Sequence, residues 1–303
     1  MRRFVAVFIA TLAVAGAAQN GFDLSDATIP RDELVPGGPP RDGIPAIDRP
    51  QFVKPSEVNF LRDEDRVLSV KIDNEVRAYP LRILNWHEIV NDQIGDQAVG
   101  VTYCPLAGAG IVFDRRVNGR KPSFGVSGLL YQSDLVMYDR DTESLWPQLA
   151  MKAISGPMVG AQLRLLPSED MKWAAWRQAH PDGKVLSTAT GHSRDYLRDA
   201  YADYARPSET MFPVRWTRSE LGKKDWVVGV IVNGQAKAYP IELLKKNAPI
   251  ADKIGNEQIR ISYDVTANKP EVTRSANGEM IPFTTAYWFA WQAFYPKTEL
   301  YWR

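Results

Sequence analysis

The chain has 303 residues, with 37 lysines and arginines, 36 aspartates and glutamates, and one cysteine. This near-neutral balance argues against a nucleic-acid partner, which normally leaves a basic footprint, and against polybasic attraction to an anionic membrane. A single cysteine excludes a disulfide within the chain. Packing must therefore stabilise the fold, and nine tryptophans, twelve tyrosines and eleven phenylalanines can contribute to it.

Residues 1–18, MRRFVAVFIATLAVAGAA, are typical of a signal peptide: two arginines, an apolar run, and small residues suited to cleavage. The apolar run is too short for a comfortable membrane span, and no later segment approaches the required length. A retained short anchor is the alternative. We expect a periplasmic or secreted protein with no membrane span after removal of the signal.

Residues 19–56 form an arm rich in proline and glycine, with VPGGPPRDGIPAIDRPQF at its centre. Proline fixes φ and removes a hydrogen-bond donor, so this segment is neither a helix nor a central strand. Ile44, Ile47 and Phe52 are apolar anchors that a solvated linker would lack. We therefore predict an ordered arm that lies over the body of the protein.

An internal repeat follows. Residues 67–103 align without a gap with residues 227–263, at an offset of 160, and ten of the 37 positions are identical. Each copy predicts a hairpin, a short helix that begins after a proline, and a return strand. Duplication of one unit is the simplest explanation of this agreement.

The remaining segments indicate more hairpins, such as the one at Asn118-Gly119, a helix ending near His180, and a buried aromatic segment, AYWFAWQAFYP. The fold class is α+β, with mainly antiparallel strands and short helices built on the duplicated hairpin–helix–strand unit. We expect residues 57–206 to hold the first repeat and the candidate site. Residues 207–303 hold the second repeat and the aromatic C-terminal segment.

The two copies differ at positions that can carry chemistry. His87, Glu88 and Cys104 of the first copy correspond to Asn247, Ala248 and Asp264 of the second. The shared residues indicate a scaffold, whereas an imidazole, a carboxyl and a thiol belong to the first copy alone. If the short helix packs on the strand that ends at Cys104, these side chains can approach one another.

Several motifs resemble one known family: GGPPRDGIPAIDRPQF, AYPLRILNWHEIVND, VTYCPL, SDLVMYDRDTESLWPQ, SRDYLRDAYADY and FAWQAFYPKTELYW. Over nearly the whole mature chain the sequence is similar to the exported bacterial and archaeal family called domain of unknown function 3179. The resemblance implies that His87, Glu88 and Cys104 belong to a shared site. Many members resemble C-P-L-C after the strand. Here Ala107 holds the last position, which excludes a C-x-x-C dithiol or a two-thiolate zinc site.

Four interpretations of Cys104 remain open. The first hypothesis is a copper-binding or thiol-redox role, with Cys104, His87 and the thioether of Met137 as soft ligands. The second is an enzyme of acyl transfer or hydrolysis, in which Cys104 is the nucleophile, His87 its base, and Glu88 orients the ring. The others are a small buried hydrophobic residue and a binding module without chemistry.

The hypotheses share an expected partner, a small molecule or a metal ion. Metal ligation and proton transfer both require Cys104 and His87 to meet. A blue-copper centre would also need a second histidine, but His180 is better explained as a helix-end residue and His192 as an exposed loop residue. The segment SRDYLRDAYADY, residues 193–204, either fixes a loop or forms a wall of the site.

Overall fold

The computed structural model describes residues 19–302, so the predicted signal peptide lies outside the described residues. The strands are β1 (Leu34–Pro36), β2 (Phe52–Val53), β3 (Arg66–Ile72), β4 (Glu75–Pro80), β5 (Ile89–Ile94), β6 (Gln97–Cys104), β7 (Ala109–Asp114), β8 (Phe124–Tyr131), β9 (Asp134–Asp139), β10 (Leu145–Pro147), β11 (Arg164–Leu165), β12 (Glu169–Lys172), β13 (Lys184–Leu186), β14 (Trp226–Val232), β15 (Gln235–Pro240), β16 (Ile250–Ile254), β17 (Glu257–Asp264), β18 (Lys269–Arg274), β19 (Phe283–Tyr287) and β20 (Glu299–Leu300). The helices are α1 (Leu81–His87), α2 (Trp173–Ala179), α3 (Ala202–Ala205), α4 (Ile241–Asn247) and α5 (Trp288–Phe294), with 3-10 turns at Arg31–Glu33 and Pro55–Glu57. Across residues 19–302, no helix has the length and apolarity that crossing a membrane requires.

The predicted α+β class is confirmed: strands dominate, helices are few and short, and almost all strand pairs are antiparallel. The exceptions include β13, which runs parallel to β4, and β20, which runs parallel to β15. The division at residue 206 is not tested by these features and stays a prediction.

The chain contains two units with the same order of elements. In the first unit β3, β4 and α1 occupy positions that lie 160 residues before β14, β15 and α4 of the second. The strands β6 and β7 precede β17 and β18 by the same offset. Each short helix begins directly after a proline, Pro80 or Pro240, whose fixed φ suits the start of a helix.

The similarity extends further than the aligned sequence. A strand, a helix and a short strand follow in both units: β12–α2–β13 in the first and β19–α5–β20 in the second. They give the sheet orders β12-β3-β4-β13-β2 and β19-β14-β15-β20. The sequence shares W-x-x-W at Trp173 and Trp176 of α2 and at Trp288 and Trp291 of α5, all four of them buried.

The same polar contact joins β4 to β5 in the first unit and β15 to β16 in the second. The hydroxyl of Tyr79 donates to Asp92, and that of Tyr239 donates to Asp252 at 2.9 Å. A cation completes each group, Arg77 in the first unit at 2.6 Å and a lysine in the second. Buried carboxylates need such partners, so this contact is part of the frame that both units use.

One four-stranded sheet, β1-β8-β9-β10, has no counterpart in the second unit. Its strands β8 to β10 are inserted between β7 and β12, and β1 of the arm completes its edge. The arm is ordered as predicted, because Ile47 pairs with Val90 and is buried with β5 and β6. This inserted sheet packs its inner face against the end of β6, where the candidate site lies.

Candidate functional site

The helix α1 ends at a residue with unusual backbone geometry. Glu88 has φ 56° and ψ −31°, and its N–H donates to the carbonyl of Leu84 at 2.7 Å. A residue with a Cβ pays a steric penalty at positive φ, and such strain is concentrated at functional sites. The corresponding Ala248 has φ −66° and ψ 146°, an ordinary extended conformation. The strain therefore belongs to the first unit alone.

The carboxyl group of Glu88 is buried without a compensating contact. The residue is 6% exposed, and its side chain makes no hydrogen bond or ion pair with any residue from 19 to 302. Burial, together with the nearby carboxylate of Asp134, raises its pKa to about 8. At neutral pH Glu88 is therefore a protonated acid, able to donate a hydrogen bond.

A second buried acid lies beside it. Asp134 begins β9 and is completely buried. Its Oδ2 accepts the N–H of Leu149 at 2.9 Å, whereas its Oδ1 has no partner among the described residues. Burial raises the pKa of Asp134 to about 7, and the adjacent thiol of Cys104 acts in the opposite direction as a donor. Two carboxyl groups and one thiol thus share one apolar region.

Cys104 ends β6 and is 1% exposed. Burial raises the pKa of its thiol well above the usual value, and the charges of Asp134 and Glu88 add to that effect. The thiol is therefore neutral at physiological pH, the opposite of an activated nucleophile. Met137 lies in the same hydrophobic cluster and is also completely buried.

His87 points its ring nitrogens to other partners. Nδ1 lies 2.7 Å from the carbonyl of Pro45, which can only accept, so Nδ1 carries the proton. Nε2 then accepts from the hydroxyl of Tyr196 at 2.6 Å. Burial lowers the pKa of His87 to about 4, with smaller contributions from His192 and Arg194. The ring is a neutral bridge between α1, the arm and the loop before α3.

The predicted metal ligands are thus placed but not shown to act together. His192 is exposed, as predicted, although its ring centroid lies 5.4 Å from that of His87. Residues 19–302 contain no group of three or more histidine, cysteine, aspartate or glutamate side chains arranged to hold a metal ion. Copper ligation by Cys104, His87 and Met137 stays a prediction.

A groove of about 620 Å³ opens between the arm, α1 and the loop before α3. Ile44 of the arm, Trp86 of α1, and Arg194 and Tyr201 of the following loop line it. Tyr201 is half-buried and packs against the cluster that contains Cys104. Burial raises the pKa of Tyr201, and Glu88 and Cys104 raise it further, so all three groups share one electrostatic environment. Tyr201 therefore belongs both to the lining of the groove and to the surroundings of the buried acids.

Sequence reasoning named Cys104, His87, Glu88 and Met137, whose roles stay predictions, and it did not name Asp134 or single out Tyr201. An acid at the start of the apolar strand DLVMYD was the available signal for Asp134, but its neighbours come from distant parts of the chain. The segment 193–204 does supply one wall of the groove, which was one of its two expected roles.

Comparison with known proteins gives a family but no activity. No curated protein and no solved structure matches the chain. One family profile matches residues 41–277, which include the arm's anchors, the first unit, the second unit as far as β18, and the acid site. The chain therefore belongs to the family described as "Protein of unknown function (DUF3179)".

Proposed function

We propose that this protein binds a small organic molecule in the groove beside α1 and that Glu88 serves as its hydrogen-bond and proton donor. One observation carries the proposal: a carboxyl group without a partner, on a strained backbone, whose neighbour Tyr201 lines an open groove. Perturbed acids of this kind are concentrated at functional sites.

The energetic argument starts from the cost of keeping Glu88. Glu88 is a largely buried residue whose side chain makes no hydrogen bond within residues 19–302, which disfavours its ionised form, and a non-glycine residue at this φ costs about 1–3 kcal/mol. The second unit forms the same helix with Ala248, which leaves the helix with an ordinary extended backbone and has no carboxyl to bury. The fold therefore does not require the acid, which supports a role in binding or catalysis.

The lining of the groove indicates the chemistry of the ligand. Trp86 and Tyr201 offer aromatic faces, Ile44 offers apolar surface, and the exposed guanidinium of Arg194 offers a positive charge. Such a groove suits a flat molecule with a carboxylate or carbonyl oxygen. The protonated Glu88 would donate to that oxygen, as a neutral acid in an apolar site can.

In a catalytic step the O–H bond of Glu88 breaks and a new O–H bond forms on the ligand oxygen, which leaves Glu88 as a carboxylate. Solvent in the groove then returns a proton to it. Asp134 assists by raising the pKa of Glu88, so that the acid holds its proton until the ligand takes it. Cys104 contributes a neutral thiol next to Asp134 and has no nucleophilic role in this proposal.

The experiment measures binding of benzoate by ligand-observed NMR from pH 6 to 9. We expect affinity to fall as pH rises through about 8, because ionised Glu88 repels the anion. Glu88→Gln should lose the fall in affinity near pH 8, leaving only the smaller effect of Asp134 near pH 7. Glu64→Gln is the matched control, since Glu64 is an exposed surface residue, and it should behave as wild type. Absent binding, or the same profile in Glu88→Gln, would refute the proposal.

Two further inferences belong to the same account. We propose that the two units arose by duplication, supported by the shared order of elements and the repeated Tyr–Asp contact.

We also propose export to the periplasm or beyond, supported by the character of residues 1–18. Mass spectrometry of the protein from the cell envelope tests the export, since an N-terminus at or before residue 10 would contradict cleavage near residue 18.

A further inference from the structure

A second cavity, of about 210 Å³, lies where the two units meet. Its wall contains Arg66 of β3 and Trp226 of β14, which occupy equivalent positions in the repeat. The guanidinium of Arg66 lies 4.5 Å from the centroid of the Trp226 ring. The volume corresponds to about seven water molecules at the space each takes in the liquid, so the cavity can admit a small ligand.

Some polar side chains around this cavity have donors that make no hydrogen bond with the described part of the chain. Nε and Nη2 of Arg66 donate to the two oxygens of Asp170, which leaves Nη1 without a hydrogen bond among residues 19–302. Asn268 accepts from the Tyr263 hydroxyl through Oδ1, and its amide nitrogen makes no hydrogen bond in that part of the chain. In both residues the atom left without a hydrogen bond there is therefore a donor.

Thr285 of β19 adds an independent indication of a missing partner. The residue is 6% exposed and lines the cavity, yet its Oγ1 has no hydrogen bond within the described chain. A buried hydroxyl that is left unsatisfied costs about 1–3 kcal/mol, and native structures rarely leave one without an explanation. A bound molecule that accepts from this hydroxyl would remove the cost.

The charges point in the same direction. Asp170 has both oxygens occupied by Arg66, and Lys245 of α4 lies at the rim, paired with Glu242 at 2.7 Å. The two ion pairs therefore leave the cavity wall with no net charge, while the hydrogen-bond donors without a partner among the described residues outnumber the acceptors without one. We propose that this cavity binds a small carboxylate, whose oxygens accept from Arg66 Nη1 and Thr285 and whose carbon chain lies against the Trp226 ring.

The experiment uses the whole protein labelled with 5-fluorotryptophan and observed by ¹⁹F NMR, with the Trp226 signal assigned from Trp226→Phe. Succinate is the probe, inorganic phosphate is the second anion, and sodium chloride matches the ionic strength. We expect succinate alone to shift the Trp226 signal saturably. Thr285→Val keeps the shape of the side chain and should weaken binding at least about tenfold, the effect of losing a hydrogen bond to a charged group.

Neighbouring residues provide matched controls. Lys245→Gln should weaken succinate binding, whereas Lys246→Gln, one position along α4 and outside the cavity lining, should not. Thr217→Val tests the same substitution at an exposed threonine. The proposal is overturned if succinate leaves the Trp226 signal unmoved, if chloride shifts it equally, or if Thr285→Val binds as wild type. A saturable shift with phosphate but not succinate would also overturn the assignment to a carboxylate.

Discussion

Glu88→Gln should chiefly change how the free energy of unfolding depends on pH. The free carboxyl has a pKa of 4.5, and burial raises it to about 8 in the folded chain. Between these values the unfolded chain has released a proton that the folded chain still holds. The contribution of Glu88 to the free energy of unfolding is therefore fully present below pH 4.5 and is lost as the pH rises toward 8.

The size of the effect follows from that window. Each pH unit within it lowers the free energy of unfolding by up to about 1.4 kcal/mol for one group. Over the whole window this gives an upper bound of about 5 kcal/mol. Because the charge of Asp134 supplies part of the shift and itself titrates near pH 7, we expect Glu88 alone to account for less than half of it, about 2 kcal/mol. Glu88→Gln keeps the shape, cannot ionise, and should flatten the profile by that amount.

Urea denaturation followed by tryptophan fluorescence at intervals from pH 4.5 to 8 measures the effect, since the midpoint and slope yield the free energy of unfolding. Glu64→Gln, at the exposed partner of Lys172, should keep the wild-type profile. Identical profiles for Glu88→Gln and wild type would refute the reasoning, because they would mean that Glu88 is already ionised in the folded chain at neutral pH.

Three other predictions follow from the same structure. Iodoacetamide should label Cys104 at pH 8 at least about 100-fold more slowly than it labels the unfolded chain, because burial and two carboxylates keep the thiol neutral; rapid labelling of the folded protein would contradict this. His87→Gln should remove an acid-induced loss of about 2 kcal/mol, since the lowered pKa of about 4 makes stability fall as the pH drops from 6.5 toward 4, and an unchanged acid limb in urea titrations would count against it. Gly229→Ala should cost about 1–3 kcal/mol, because a Cβ there would lie 2.3 Å from the ring of Trp291. Ser69→Ala, at the equivalent position of the first unit, should lose only the hydrogen bond from Trp176, about 1 kcal/mol, and equal thermal shifts for the two variants would show the packing argument to be wrong.

Local chemistry in the sequence predicted the elements that local chemistry controls. Prolines 80 and 240 indicated where the two short helices begin, and both helices begin there. The arm's apolar anchor Ile47 indicated an ordered segment, and it pairs with β5. The class of mainly antiparallel strands followed from the same turns and alternations. Such signals act over a few residues, so a single sequence records them.

The second half of each unit was harder to recognise, because β12–α2–β13 and β19–α5–β20 lie at different distances from their partner strands. The inserted sheet separates β12 from β7 in the first unit, whereas β19 follows β18 closely in the second. An ungapped alignment at a fixed offset cannot register this relation. The shared W-x-x-W was visible in the sequence, yet only the sheet order shows that the two helices are equivalent.

The site was predicted in part. Glu88 and Cys104 share a buried region, whereas the sequence comparison of the two copies predicted an approach of His87 and Cys104. The predicted partnership of Cys104 with His87 depends on the direction of one side chain, and both nitrogens of His87 bond elsewhere. The positive φ of Glu88 ends α1, and the Glu88 carboxyl shares the electrostatic environment of the thiol. Asp134 arrives from the inserted sheet, a long-range contact that no local pattern encodes.

The contrast between Glu88 and Ala248 bears on how this site can change over time. Glycine at position 88 would relieve the backbone strain and remove the unpartnered acid in one step. Folding therefore favours this substitution, and only a functional need for the carboxyl group would oppose it. Lineages that cease to need the acid should lose it early while keeping Tyr79 and Asp92 intact. Under the proposed function, the residue at position 88 would therefore show which relatives still use the acid.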